Sequence, residues 1–120
     1  MIKTKYLVII AFSLLLSGCS SDSISDLIDV PTVEIITYEA NVKAIINTNC
    51  LSCHGATPSN GAPMSLTTYE NVRDAVLNRG LLDRISRADG APGAMPLGGP
   101  RLPQNQINII EKWNIDGLLE

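Results

Sequence analysis

Histidine is almost absent from this 120-residue chain: His54 is the only one. Any site that needs two imidazoles from one chain is therefore excluded. Aromatic side chains are nearly as scarce, at 4%. Trp113 is the only tryptophan and Phe12 the only phenylalanine, which leaves few large groups for a core. Long apolar runs are missing too. The stretch from Tyr6 to Leu16 falls short of the roughly 20 residues that a helix needs to span a bilayer. Basic charge is in deficit: nine Lys and Arg against twelve Asp and Glu give a net charge of −3. Lys3 and Lys5 lie close to the N-terminus, so the remainder is more acidic still. That balance argues against a nucleic-acid binder. The acids are scattered, as on a solvated surface. No convincing alternation of apolar and polar residues is found, so no sheet is expected. There is no internal repeat, and the length suits one small domain.

What the chain does hold is three cysteines, two of them in Cys50-Leu51-Ser52-Cys53-His54. This is the C-x-x-C-H spacing that attaches a c-type haem. Each thiol can add across one haem vinyl group, and two intervening residues let both sulfurs reach one edge of the porphyrin. His54 then follows directly, placed to bind iron with its imidazole. At ordinary abundances such a pattern arises by chance in about one chain in 10³ of this length. A thioredoxin-like pair would need a surrounding βαβ pattern, which is not seen. A structural zinc site needs four ligands, and with Cys19 claimed by a different motif, Cys50, Cys53 and the single histidine leave it one short. A disulfide between Cys50 and Cys53 stays open as the alternative.

The third cysteine has a different setting. Lys3 and Lys5 precede the apolar run, and Leu16-Ser17-Gly18-Cys19 follows it. This is the build of a secretory signal, and the last four residues closely resemble a bacterial lipobox. The resemblance implies a signal peptide over 1–18 and a lipid on Cys19. A plain signal peptide with Cys19 as a free thiol is the alternative. Export agrees with haem attachment, which takes place outside the cytoplasm, and the cysteine count then needs no structural disulfide. Ser20 resembles an outer-membrane sorting residue, which implies the outer membrane, facing the periplasm or the cell surface. Residues 19–37, rich in serine and aspartate at their start, read as a tether.

From about Tyr38 the pattern turns helical. Val42, Ile45 and Ile46 share one face just ahead of Cys50. Gly55 to Pro63 is rich in turn residues. Thr67-Thr68-Tyr69-Glu70 predicts a capping box with Thr67 as the N-cap. Tyr69, Val72 and Val76 then line a helix that Gly80 stops. Leu81 to Ser86 predicts a short helix. Asp89 to Pro103 is too rich in glycine and proline for regular structure. Pro103 suits the start of a last helix, along which Ile107, Ile110, Trp113 and Gly117 recur.

The order is helix, C-x-x-C-H, loop, helix, methionine loop, terminal helix with tryptophan. Tyr38-Glu39-Ala40-Asn41-Val42 leads to Asn49 and Cys50. The motif runs on to Gly55, and Met95-Pro96 is followed by Leu102, Ile110, Trp113 and Gly117. In these features the chain resembles the class I c-type cytochromes, in particular small membrane-tethered bacterial ones. The resemblance covers nearly all of residues 38–120. It implies an all-α domain with long irregular loops wrapped around one haem, held covalently by thioethers to Cys50 and Cys53. It implies a near-perpendicular crossing of first and last helices at a small residue, here Gly117 or Ala44. It implies Met95, in Gly93-Ala94-Met95-Pro96-Leu97-Gly98-Gly99, as the second axial ligand beside His54. Met64 is the other candidate, or else a plain apolar plug, and the absence of any protein ligand at that position is the remaining alternative. A carbonyl, that of Pro63 or of Pro58, is expected to accept from the imidazole Nδ1–H. Arg84 and Arg101 are candidate donors to the haem propionates, or ordinary surface groups.

The expected function is a lipid-anchored carrier of single electrons between redox partner proteins, with neither catalysis nor a small-molecule substrate. A dedicated haem subunit of a larger dehydrogenase or oxidase is the alternative. A peroxidase or gas sensor would need an open iron site, and the first also needs distal acid–base groups that one histidine cannot supply.

Overall fold

The structure, a computed structural model, describes residues 34–120. The expected signal peptide over 1–18, Cys19 and the tether up to residue 33 lie outside the described residues. All regular structure in the described residues is helical, and no strand occurs among them, as the missing alternation predicts.

The folded body takes in residues just ahead of Tyr38. Ile36 is buried, and its amide donates to Asp116 at 2.7 Å. Thr37 starts the first helical segment. Its hydroxyl accepts from the Ala40 amide, and its own amide donates to the Asn41 side chain at 3.0 Å. This reciprocal pairing satisfies donors that a helix start leaves free. The first turn is wide, of π type, over Tyr38–Val42. It runs directly into α1, Lys43–Asn49, which buries Ile45 and Ile46 beside Val42. The three residues share one face, as their spacing predicts.

Helix α2 spans Tyr69–Asn78, α3 spans Leu81–Ser86 and α4 spans Gln104–Ile115. The cap of α2 is Thr68, whose hydroxyl accepts from the Asn71 amide at 3.2 Å. Thr67, the expected cap, lies one residue outside and pairs its hydroxyl with that of Ser65. A cap must have extended backbone immediately before the first helical residue, and Thr68 meets that condition. The buried residues of α2 are Val72 and Ala75, with Val76 half-buried at the margin. Pro103 stands just before α4, and its carbonyl accepts from Gln106 and Ile107.

Helix α4 packs against both the π turn and α3, and α2 packs on α3. Ile107, Ile110 and Trp113 present α4's apolar stripe to the core and are fully covered. The scarce aromatics are concentrated here. Tyr38, Tyr69 and Trp113 meet with ring centroids 5.6 to 6.2 Å apart, in the tilted and edge arrangements that ring quadrupoles favour. The backbone of the C-terminal residues accepts from all three of these residues. Tyr69 Oη donates to the Leu118 carbonyl, and Trp113 Nε1 and the Tyr38 amide both donate to that of Leu119. Three far-apart segments are thereby closed on the chain's last residues.

Neither Gly117 nor Ala44 supplies the close helix crossing. A Cβ on Gly117 would meet nothing within 4 Å, and Ala44 is exposed. Gly117 has φ of +97° just past the end of α4, the left-handed position at which glycine terminates helices. The family-like spacing of Gly117 therefore reflects a stop signal, and the contact with α4 is made by the π turn.

Candidate functional site

Helix α1 delivers the C-x-x-C-H segment. The Cys50 amide donates to the Ile46 carbonyl at 2.9 Å, which extends the last turn of α1. The Cys50 carbonyl in turn accepts from the amides of Cys53 (3.2 Å) and His54 (2.9 Å). One tight turn thus gathers both thiols and the imidazole. Asn49 ties that turn to the body, with its side-chain amide donating to the Ile45 carbonyl and to Gln106 on α4.

His54 is buried and is held from two directions. Its carbonyl accepts from the Leu66 amide at 2.8 Å. Its Nδ1 lies 2.8 Å from the Met64 carbonyl. A carbonyl can only accept, so Nδ1 carries a proton, and in the neutral ring Nε2 is then the lone-pair nitrogen able to bind a metal. The acceptor is the carbonyl of Met64, one residue beyond the expected Pro63 and well past Pro58. A carbonyl meets Nδ1, as expected, and the shift of one residue was not readable from the sequence. Loop closure decides it: the Leu66 amide returns to His54, and that return carries the Met64 carbonyl over the ring.

Cys50 and Cys53 are free thiols, so the open disulfide alternative is not what the structure holds. Both are half-buried. Burial pushes the Cys50 thiol up to about 11, which keeps it neutral near pH 7. Asn60 Nδ2 lies 3.4 Å from Cys53 Sγ, and the Ser59 amide donates to the Cys53 carbonyl at 2.8 Å. Among the described residues, no three His, Cys, Asp or Glu side chains converge as a metal-ion cage. The donor set is of another kind: two unbridged thiols on one turn and one imidazole with its Nε2 free. That set fits a group bonded covalently through the sulfurs and ligated by the nitrogen, which is what haem c requires.

The two candidate methionines are both half-buried and both pack against the core. Met64 is the residue whose carbonyl serves His54. Met95 sits on the irregular segment between α3 and α4, and its amide donates to the Arg84 carbonyl at 3.0 Å. A hollow of about 260 Å³ is lined by Met95, Leu97, Arg87, Asp89 and Arg101 among others. A larger one, about 380 Å³, lies between α2 and the C-terminal residues. It contains no residue of the candidate site.

The two arginines that are candidate propionate donors both bond to backbone and side chains of this loop region. Arg84 Nη1 reaches the Gly93 carbonyl at 3.4 Å. Arg101 engages the Ser86 carbonyl, the Leu102 carbonyl and Gln104. Sequence reading missed Arg87 and Asp89, which join them. The pairing of Asp83 with Arg87 at i,i+4 was the available signal.

No family model, no curated protein and no solved structure matches this chain.

Proposed function

We propose that this chain is a mono-haem c-type cytochrome that carries single electrons in the cell envelope, anchored there through a lipid on Cys19. The observation that carries the reading is the His54 imidazole, buried and pinned through Nδ1–H to the Met64 carbonyl, on the same turn as two free thiols. Orienting a ligating imidazole by a carbonyl on its other nitrogen is the usual way of fixing its tautomer and raising its basicity. A core histidine with no ligand needs no adjacent pair of unbridged cysteines.

In this reading Cys50 and Cys53 would form the two thioethers, and the His54 imidazole and the Met95 thioether would hold the iron. The bound haem contributes reversible one-electron exchange. The chain's residues do the rest. The Met64 carbonyl holds the imidazole. The apolar core excludes water beside the site, which favours the less charged ferrous state. The thioether of Met95 pushes the same way. With His54 and Met95 both holding the group, the chain would leave no position for a peroxide or a gas.

Optical spectra of the purified protein test this, after expression with c-type maturation and with and without CO. The expected result is a c-type spectrum with a weak near-red methionine–iron band and no CO response. A c-type spectrum that shifts readily with CO removes Met95 as ligand and favours a sensor or peroxidase. Absence of haem absorbance overturns the proposal. Palmitate labelling that persists in Cys19→Ala overturns the anchor.

A further inference from the structure

The segment from Asp89 to Pro103 is too rich in glycine and proline to hold a shape by regular structure, yet Met95 must be presented at one position if it is to ligate. The structure contains a device that does this. Helix α3 is short and ends at Ser86, so its last carbonyls have no partner within the helix. The Met95 amide takes that of Arg84, and Arg101 Nε reaches that of Ser86. Arg87, just past the helix end, turns its guanidinium onto the loop. Its Nη1 donates to the Pro92 carbonyl, while Nη2 pairs with Asp83 at 2.6 Å. Arg84 Nη1 adds the next carbonyl, that of Gly93. At the loop's mouth the Asp89 carboxylate accepts from the Arg101 amide. The loop is thus gripped at its middle by Arg84 and Arg87 and at its neck by Asp89.

Gly93 is shaped around the grip. Its φ is +75°, and a Cβ there would lie 2.6 Å from Arg87 Nη1. A side chain at 93 would therefore expel the guanidinium from its place on Pro92.

We propose that Arg87 and Asp89 are positioning residues for the Met95 thioether, a clamp that sets the loop before and independently of any ligation. This rests on the assignment of Met95 as a haem ligand. Neither residue touches the reacting atoms. They act through the backbone at Pro92 and Arg101, and so through the carbonyl-bound amide of Met95. The clamp groups are exposed at the surface, so they are expected to govern loop precision far more than global stability.

The test compares full-length wild type with Arg87→Ala, Gly93→Ala, Asp89→Ala and Asp89→Asn. Two readouts are taken: amide hydrogen exchange of residues 91–99, and the near-red methionine–iron band with CO binding. Loss of a charge-assisted bond should raise Met95 amide exchange about tenfold in the first three variants. The same three should weaken the near-red band and bind CO. Asp89→Asn keeps an oxygen acceptor for the Arg101 amide and should behave as wild type. Unchanged exchange in Arg87→Ala and Asp89→Ala overturns the clamp. Faster exchange with an intact band and no CO binding overturns its role toward the thioether. Equal behaviour of Asp89→Asn and Asp89→Ala overturns the assigned contact. Wild-type protein without haem absorbance overturns the reading beneath, and with it the thioether's part. The exchange arm then still decides whether the clamp exists.

Discussion

The two loops that carry candidate ligands are held by opposite means. The loop from Gly55 to Leu66 is closed by neutral bonds between backbone groups and one imidazole: Nδ1 to the Met64 carbonyl, and the Leu66 amide to the His54 carbonyl. The loop from Asp89 to Pro103 is closed largely by charged side chains, Arg84, Arg87, Arg101 and Asp89. The first grip is centred on a buried residue, the second lies at the surface. The candidate ligand His54 is thus built into the core's edge. The candidate ligand Met95 stands on an irregular segment held largely by groups that salt can screen.

Both loops hang from the body closed by Tyr38, Tyr69 and Trp113, so the largest effect comes from breaking that body. Trp113→Ala should destabilise by about 3–5 kcal/mol, a large part of the roughly 5–15 kcal/mol that small domains possess. Urea unfolding would read it, and both loops should lose protection together. Next, Met95→Ala breaks one side of the comparison alone. It should lower the reduction potential by an amount on the order of 0.1 V, within the span of about 0.8 V that axial ligands command. A redox titration checks this, and Met64→Leu should leave the potential nearly unchanged because leucine keeps both the apolar packing and the backbone carbonyl that meets His54.

The cap of α2 tests the body on a finer scale. Thr68→Ala should cost about 1 kcal/mol, whereas Thr67→Ala should stay within about 0.5 kcal/mol, both by thermal unfolding. Salt sharpens the contrast between the loops themselves. Raising ionic strength should quicken Met95 amide exchange about twofold, the scale of a screened surface pair, and leave that of Leu66 unchanged. Acid gives the smallest effect. Asp116 is held below the usual carboxylate range by the Ile36 amide and then by Lys112. Its contribution is complete above the unfolded value of about 3.9 and is lost as pH falls through the lower folded value. The gap in melting temperature between wild type and Asp116→Asn should therefore close only below about pH 4.

Much of this was legible in single residues. The absence of alternation foretold a helical body, and Leu81 to Ser86 stood out between Gly80 and the turn-rich segment. The face of Val42, Ile45 and Ile46 could be counted from its spacing. The shift from Thr67 to Thr68 could not, because two adjacent threonines offer the same hydroxyl and only the backbone direction at the helix start selects between them. Gly117 misled for a related reason. A glycine at a family-like spacing reads equally as a close contact or as a left-handed stop, and only its surroundings tell them apart.

By itself the sequence determined the covalent chemistry on offer: two thiols and one imidazole at a spacing that no later folding can change, because bonds along the chain set it. It determined the helical body as well, since periodicity is a local property. The tertiary structure decided which carbonyl meets the imidazole and which cations grip the methionine loop. Both depend on where the loops return, which bonds between residues well apart in the chain settle, not immediate neighbours in sequence.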